Sequence, residues 1–247
     1  MPLHFLLDEQ VLARPGETVV LTGAEAHHAA SVRRVRVGEE VTVGDGQGAW
    51  LTGTCESVAP REVVVRIDGR TDVPAPAPRV VLVQALAKGD RDELAVQAAT
   101  ELGVDEIVPW QASRSVSRWD AAKAAKGRAR WATIVREAAK QAHRAWVPEV
   151  GGLVTTKQLT QRVAQGGASA FVLEPAGDER LTAIALDPAD PRDLVLVVGP
   201  EGGIAPEELR ALADAGARLV RLGGTVLRTS TAGPAALAIV NAALGRW

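Results

Sequence analysis

From residue 80 onward, apolar runs alternate with helix-type stretches. The predicted strands are 80–86, 104–109, 170–174, 194–199 and 217–223, and the predicted helices are 90–103, 119–145, 156–165, 206–216 and 231–244. The run 80–86 is typical of a strand buried on both faces. Asp90 and Glu93 stand at the two positions of a capping box for the first helix. Strands that alternate with helices predict a parallel α/β sheet, and the pattern alone indicates an ordinary doubly wound one.

Before residue 72 the pattern changes to short β-type runs that are separated by Gly- and Asp-rich turns. The predicted strands are 17–22, 40–45, 49–58 and 61–67, with one helix-like piece at 24–35. Three alternating prolines in 71–79 favour an extended backbone, which suits a stiff linker. We therefore predict a small β-barrel domain at 1–72 and an α/β domain at 73–247.

Composition narrows the classes of function. A net charge of −2 excludes a uniformly basic nucleic-acid binder, although it allows a local basic patch. Cys55 is the only cysteine, so there is no intramolecular disulfide and no cysteine-based metal cluster. The four histidines form no tight cluster with acidic residues, and we expect no metal site. Nucleophilic catalysis has little support, since there is no GxSxG motif and Cys55 lies in a predicted strand.

The chain carries no apolar run of the roughly 18 residues that cross a bilayer. Its start, MPLHFLLDEQ, reaches Asp8 too early for the apolar region of a signal peptide. We therefore expect no membrane span and a cytoplasmic location.

The Gly-rich segment 199–203 (GPEGG) directly follows a predicted buried strand. Ligands of open α/β sheets bind at the carboxyl ends of the strands, and glycine lets the backbone approach a ligand closely. Glu201 would repel a phosphate, so the loop suits hydroxyls, amines or a cationic ligand. A tight turn with a solvated glutamate explains the same residues equally well.

A second Gly-bearing strand end lies in 222–237. Ser230 or Thr231 is expected to cap the last helix. Capping does not explain Arg228, whose guanidinium is expected beside the mouth of the sheet. Two such strand ends in consecutive βα units predict one pocket, made mostly of backbone groups.

Residues 114–146 form a basic segment. It carries nine lysines or arginines against two acids, with three interleaved tryptophans. Basic groups with aromatics can follow a phosphate backbone and stack bases. A solvated helix face with the tryptophans packed inward is the alternative for any one of them. The local excess of charge in a slightly acidic protein favours an anionic partner.

Five segments match one family in one order, and together they cover nearly the whole chain. These segments are 27–41, 84–116, 137–150, 195–203 and 222–232. They resemble the motifs of the RsmE family, the 16S ribosomal RNA uridine-N3 methyltransferases. The resemblance implies a PUA-like RNA-binding barrel, followed by a SPOUT-type α/β domain with a C-terminal trefoil knot. Knots are rare exceptions to the rules of topology, and the pattern alone does not predict one.

The resemblance also implies a reaction and its residues. Family members use S-adenosylmethionine, act as homodimers, and methylate N3 of a specific uridine in 16S ribosomal RNA or in the 30S subunit. Arg228 would be catalytic, as a cation that stabilises charge on the uracil carbonyl oxygens. The implied cofactor residues are Leu173, Gly199, Pro200, Glu201, Gly202, Leu222, Gly223, Leu227 and Thr231. The implied RNA-binding residues are His28, Arg33, Arg34, Arg114, Arg136 and Arg144.

The chain departs from the family pattern at three places. Ser230 stands where many relatives carry Glu, so a carboxylate base at that position does not carry over. An N-terminal arginine of the family is replaced around His4, and its RNA contact is lost or supplied by Arg33 or Arg34. Ala205 replaces the usual capping hydroxyl, which weakens the helix start by about 1 kcal/mol, and the proline that follows offsets part of this.

Two other functions stay open at this point. A non-catalytic RNA-binding factor for ribosome assembly would keep the basic segment but would not need the motifs at 199–203 and 227–232. A SPOUT methyltransferase that acts on transfer RNA would need both motifs, and only the two-domain motif order argues against it.

Overall fold

The computed structural model describes residues 2–247, which form two compact units. Unit 1 contains the described residues up to Ala75 together with Ala139–Val147, and unit 2 contains Pro76–Ala138 and Pro148–Trp247. Each unit has its own cluster of buried apolar side chains. Residues 139–147 thus belong to unit 1 although they follow the proline-rich linker in the sequence.

Unit 1 is a five-stranded sheet with one short helix. Its elements are β1 Leu3–Leu6, β2 Thr18–Thr22, α1 Gly23–His27, β3 Glu40–Gly44, β4 Ala49–Ala59 and β5 Glu62–Asp72. The strand order is β1-β3-β4-β5-β2, with β1 parallel to β3 and the other pairs antiparallel. The predicted helix at 24–35 is shorter: α1 passes into one π-helical turn, His28–Val32, and Arg34 then adopts a positive φ of 55°. That left-handed residue ends the helical path.

Alternation along the strands builds the core of unit 1. In β4, Leu51 and Cys55 are buried, and in β5 Val63, Val65 and Ile67 point to the same core. Successive side chains of a strand point to opposite faces, so each second residue enters the core. Burial raises the pKa of the Cys55 thiol, with a smaller contribution from Glu39. The thiol is therefore a buried structural group, as predicted.

Residues 139–147 are fastened to unit 1 by polar contacts. Lys140 is buried, and its Nζ lies 2.8 Å from Oε1 of Glu25. The indole Nε1 of Trp146 donates to the carbonyl of Val73 at 2.9 Å, and Trp146 forms an isolated β-bridge with Gln47. A buried cation must be paired, so Lys140 ties this segment to α1.

His4 is a buried imidazole in unit 1. Its ring stacks on Trp50 with centroids 4.3 Å apart, and its Nδ1 lies 2.9 Å from the Thr42 hydroxyl. That hydroxyl donates to the carbonyl of Leu3, so Nδ1 of His4 is the donor to it. The other nitrogen, Nε2, is buried without a hydrogen bond from the described residues. Burial, with smaller effects of His143 and Lys140, lowers the pKa of His4 from 6.5 to about 4.

We expect unit 1 to lose stability in acid because of this imidazole. In the unfolded chain His4 binds its proton near pH 6.5, and in the folded chain only near pH 4. The free energy of unfolding is therefore unaffected by His4 above pH 6.5, and it decreases as the pH falls from 6.5 towards 4. Between pH 7 and 4.5 the loss is about 2 kcal/mol. Hydrogen exchange of the β3 amides measures it. His4→Phe should remove this part of the pH dependence, while substitution of the exposed His27 by Gln should leave it unchanged.

Unit 2 alternates strands and helices, as the pattern predicts. Its strands are β6 Val80–Ala85, β7 Glu106–Gln111, β8 Glu149–Val150, β9 Val154–Thr155, β10 Ala168–Leu173, β11 Glu179–Arg180, β12 Asp193–Val198 and β13 Arg218–Arg221. Its helices are α2 Arg91–Glu101, α3 Ala121–Gln141 (whose last residues belong to unit 1), α4 Thr156–Ala164, α5 Pro206–Asp214 and α6 Thr229–Ala243. Within residues 2–247, no helix has both the length and the apolar character to cross a membrane.

The sheet of unit 2 is parallel throughout, with the order β11-β13-β10-β12-β6-β7-β8, and β9 also pairs with β7. The last strand of the chain, β13, therefore lies between two earlier strands. This order differs from that of an ordinary doubly wound sheet and is consistent with the predicted knot.

Two predicted helix caps are wrong. Asp90 makes no side-chain cap for α2, and Glu93 binds Arg130 instead, because the carboxylate of Asp92 already accepts from the amides of Ala87 and Glu93. The cap position of α6 is Arg228, and no side chain caps it. Ser230 and Thr231 lie inside α6, one residue or more beyond the point where a capping hydroxyl acts.

The start of α5 is held without a capping hydroxyl, as the sequence predicts. Ala205 precedes Pro206, the first residue of the helix, and the carboxylate of Glu208 accepts from the Ala205 amide at 3.3 Å. The same carboxylate accepts from the Thr156 hydroxyl at 2.6 Å and from the Ser113 amide at 2.9 Å. Burial raises the pKa of Glu208, but these hydrogen bonds outweigh it and hold the pKa below its usual range. An ionised carboxylate therefore anchors α5.

Candidate functional site

Three strands of unit 2 end side by side. Leu173 at the end of β10 pairs with Val198 of β12 and with Val220 of β13. The loops that follow these strands, with the first residues of α2 and α6, enclose a cavity of about 390 Å³. The carboxyl edge of a parallel sheet is the usual place of a ligand site.

Most of the predicted cofactor residues line this cavity. They are Leu173, Gly199, Pro200, Glu201, Leu222, Gly223 and Leu227, and Arg228 lines it too. Within the described residues, the lining includes neither Gly202 nor Thr231. Both Gly-bearing strand ends thus contribute to one cavity.

The loop 199–203 folds back tightly on itself. The amide of Gly203 donates to the carbonyl of Pro200 at 2.9 Å, and Gly203 has a φ of +72°. At Gly199, a Cβ atom would lie 2.5 Å from Cγ1 of Ile204. Glycine is therefore required at 203 by the backbone angle and at 199 by close packing.

The carboxylate of Glu201 accepts hydrogen bonds from two groups of the same chain. Its Oε1 accepts from the amide of Lys88 at 2.7 Å and from Nη1 of Arg91 at 3.0 Å. Burial raises the pKa of Glu201, but hydrogen bonds from its own amide, from Lys88 and from Arg91 outweigh it, so the pKa lies below its usual range. The carboxylate is ionised and connects the loop to the start of α2.

Arg114 holds the same loop from another direction. Its Nη1 donates to the carbonyl of Gly202 at 3.2 Å. A Cβ atom at Gly202 would lie 3.4 Å from Cβ of Arg114, which is ordinary contact. Gly202 therefore faces Arg114 and has room for a Cβ atom, whereas Gly199 has none.

Three arginines line the cavity, and they differ in their bonding. Arg91 binds Glu201, and Arg221 donates through Nη1 to the carbonyls of Gly177 and Asp178. The guanidinium of Arg228 is exposed and makes no hydrogen bond or ion pair with the described residues. Of these three cations, Arg228 is the one that the chain leaves available to a ligand.

Sequence reasoning did not single out Arg91, Arg221 or Thr229 as lining residues. It also missed Gln84, which is buried behind the cavity and donates to the Thr229 hydroxyl. A signal was present: Gln84 is the one polar residue in the run 80–86.

The predicted RNA-binding residues are spread over both units. His28 and Arg144 are half-buried in unit 1, where Nδ1 of His28 lies 3.3 Å from Nζ of Lys140. Arg33 and Arg34 are exposed in unit 1. In unit 2, Arg114 contacts the glycine loop and Arg136 is half-buried on α3. The roles of these residues stay predictions. No group of acidic, histidine or cysteine side chains among residues 2–247 could hold a metal ion.

Comparison with protein families gives two matches. Residues 74–241 match an RNA methyltransferase domain, and residues 21–68 match the PUA domain of RNA methyltransferases. Several known proteins match nearly the whole chain, and the two described next both carry the name ribosomal RNA small subunit methyltransferase E. The one from Mycobacterium tuberculosis is 47% identical over 235 residues, 94% of this chain and 89% of that protein. The one from Bacillus subtilis is 32% identical over 241 residues, 96% and 93%.

Solved structures agree with these matches. A methyltransferase from Legionella pneumophila in complex with S-adenosylmethionine has a TM-score of 0.84 and 30% identity, over 98% of both chains. The small subunit methyltransferase E of Neisseria gonorrhoeae, bound to the same cofactor, has a TM-score of 0.84 and 29% identity, again over 98% of both. These likenesses confirm the predicted SPOUT-type α/β domain after a PUA-like barrel. The chain therefore belongs to the family of ribosomal RNA small subunit methyltransferase E, the RsmE family that its motifs resemble.

Proposed function

We infer that the protein transfers a methyl group from S-adenosylmethionine to N3 of a specific uridine in 16S ribosomal RNA. The observation that carries this function is the cavity itself. The two Gly-bearing strand ends meet there, and Arg228 stands at it with no partner among the described residues. Relatives of the same fold bind S-adenosylmethionine, and relatives of the same sequence family bear the name of the ribosomal RNA enzyme.

The cavity fits this cofactor in size and in chemistry. Its volume of about 390 Å³ is within the range of sites for small ligands. Apolar side chains of Leu173, Leu222 and Leu227 suit an adenine ring, and the glycine loop gives close access to the backbone. S-adenosylmethionine supplies a methyl group on a positively charged sulfur. Glu201 is already bound to Lys88 and Arg91, so we assign it to holding the loop in shape.

Arg228 has the chemistry that the uridine requires. N3 becomes a good nucleophile only when it loses its proton, which places negative charge on the flanking carbonyl oxygens. An available guanidinium stabilises that charge. The base must also leave its stack to reach a cavity at the edge of the sheet. Ser230 cannot act as a carboxylate base, so the proton acceptor lies elsewhere.

The remaining partners belong to the same proposal. The substrate is 16S ribosomal RNA or the 30S subunit in the cytoplasm. The functional form is a homodimer. Four large apolar side chains of unit 2 that remain exposed support it: Leu94 at 51%, Val116 at 67%, Val226 at 77% and Trp247 at 65%. Val226 also lines the cavity, so a second subunit that covers it would close the site. Sedimentation velocity at micromolar concentration measures this state.

The test of the function uses 30S subunits from a strain that lacks the gene. The purified protein with S-adenosylmethionine should add one methyl group to a uridine of 16S RNA, which digestion and mass spectrometry locate. Titration calorimetry should show binding of S-adenosylmethionine. RNA binding without cofactor binding would instead favour the assembly factor. Methylation of transfer RNA in place of 16S RNA would favour the other SPOUT activity.

We expect the exposed arginines of unit 1 to contact RNA phosphates. The double variant Arg33→Gln/Arg34→Asn should weaken RNA binding and reduce the slope of log K against log salt by about 1.4 to 1.8, for two lost phosphate contacts. Asn is chosen at 34 because it tolerates the positive φ. A filter-binding titration over a salt series measures the slope. The control Arg14→Gln/Arg61→Gln removes the same charge elsewhere in unit 1 and should keep the wild-type slope. Equal slopes for both variants would refute the assignment.

A further inference from the structure

Behind the cavity, a fully buried amide is connected to the glycine loop by two hydrogen bonds. We propose that Gln84 and Thr229 are positioning residues, which fix the carbonyl of Gly199 and thereby pre-form the loop 199–203 for S-adenosylmethionine. The inference rests on the proposed function and deepens it.

Gln84 occupies a place where an apolar residue would be expected. It lies in β6, paired with Val198 of β12 on one side and with Pro109 of β7 on the other, and its exposure is 0%. A buried amide is unfavourable unless it is hydrogen-bonded. Its Oε1 is buried and accepts no hydrogen bond from the described residues. The core alone therefore gives no reason for glutamine at this position.

The direction of the hydrogen bonds follows from the atoms involved. Nε2 of Gln84 lies 2.9 Å from the Thr229 hydroxyl and 3.2 Å from the carbonyl of Ala85. The Thr229 hydroxyl lies 2.7 Å from the carbonyl of Gly199, which can only accept. The single hydroxyl proton must therefore point to Gly199, and Gln84 must donate to the hydroxyl oxygen. Two acceptors around Nε2 set the orientation of the amide.

The two hydrogen bonds, from Gln84 to Thr229 and from Thr229 to the carbonyl of Gly199, form a relay that joins the two loops of the cavity. Gly199 begins the loop after β12, and Thr229 is the first residue of α6, directly after the loop 222–228. Both residues line the cavity, whereas Gln84 does not. Gly199 is also packed against Ile204 so closely that no Cβ atom fits. With its carbonyl bonded and its α-carbon packed, the peptide between Gly199 and Pro200 is held in one orientation before a ligand arrives.

Loss of the relay should weaken cofactor binding. Thr229 lines the cavity, but its hydroxyl is already engaged by Gln84 and by the carbonyl of Gly199. Thr229→Val keeps the shape of the side chain but cannot donate to Gly199. The cofactor must then order the loop itself, and its affinity falls by that amount. We expect Thr229→Val to raise the Kd of S-adenosylmethionine about 10-fold, and Thr229→Ser, which keeps the hydroxyl, to stay within about 2-fold of wild type.

Gln84 should act through Thr229. Gln84→Leu should raise the same Kd by about 3- to 5-fold, and the double variant should bind no more weakly than Thr229→Val alone. In turnover, KM for S-adenosylmethionine should rise while kcat at saturating cofactor stays near wild type. The control Thr100→Val removes a buried hydroxyl that bonds to the carbonyl of Val96 in α2, outside the cavity lining. It should lower the melting temperature and leave the Kd unchanged.

Several results would overturn the inference. A folded Thr229→Val protein with the wild-type Kd would do so, and if that variant does not fold, an unchanged Kd for Gln84→Leu would do the same. Full additivity of the two effects would show that Gln84 does not act through Thr229. If the wild-type protein itself binds no S-adenosylmethionine, the proposed function fails, and this result is distinct from the others.

Discussion

Arg228→Met should lower kcat of methyl transfer by about 100- to 1,000-fold while the Kd of S-adenosylmethionine changes little. This is the usual effect of removing one preorganised group that stabilises charge in a transition state. Methionine keeps an unbranched apolar stem, so the main loss at the loop 222–228 is the guanidinium. Methylation of 30S subunits under single-turnover conditions measures the rate, and calorimetry measures the cofactor affinity.

Two further variants define what the charge does. Arg228→Lys keeps a cation without the planar fork and should recover part of the rate. Arg210 is an exposed arginine of α5 that does not line the cavity, and Arg210→Met should react at the wild-type rate. A wild-type rate for Arg228→Met would remove Arg228 from the chemistry.

Gly199→Ala should weaken binding of S-adenosylmethionine by about 10- to 100-fold. The new Cβ atom would lie 2.5 Å from Cγ1 of Ile204, so either Ile204 or the loop 199–203 must move. Overpacking of this kind costs about 1–3 kcal/mol, and here it falls on the loop that forms the cavity. Titration calorimetry on the folded variant measures the change.

The matched control is Gly224→Ala. Gly224 lies in the other loop of the site, does not line the cavity, and has open space where a Cβ atom would be. Its variant should bind the cofactor as the wild type does. If Gly199→Ala also binds with wild-type affinity and melts at the wild-type temperature, the loop is not packed as described.

Much of unit 2 follows from the order of its residues. After its first residue, Asp193, the strand β12 is apolar and buried, and a run of this kind predicts a buried strand without any alternation of polar and apolar residues. The helix α5 begins at Pro206 and ends before Gly216, two residues whose backbone preferences mark helix ends. Because these signals are local, the amino-acid sequence alone is enough to place the glycine loop at the edge of the sheet.

Features that depend on distant partners could not be predicted in this way. Asp90 is a residue type that often caps helices, but the amides of Ala87 and Glu93 donate to the carboxylate of Asp92 instead. The carboxylate of Glu201 could bind a ligand by its chemistry, but Arg91, which is 110 residues earlier in the chain, donates to it. Gly202 and Gly199 are equivalent in the sequence, and only the position of Ile204 shows that Gly199 is the crowded one. In each case a competing contact decides the role, and the local pattern does not contain that contact.

The segment 139–147 also affects how the chain folds during synthesis. Unit 1 cannot be completed when its sheet leaves the ribosome at residue 75, since Lys140 and Trp146 are still missing. At about 5–20 residues per second, the 72 residues from 75 to 147 take roughly 4 to 14 seconds. During this interval Glu25 has no Lys140 to neutralise it, and β6 and β7 emerge before β12, the strand that pairs with β6 on its other side. Unit 1 therefore cannot be complete before residue 147 is synthesised, and β6 lacks its β12 partner until residue 198 is made.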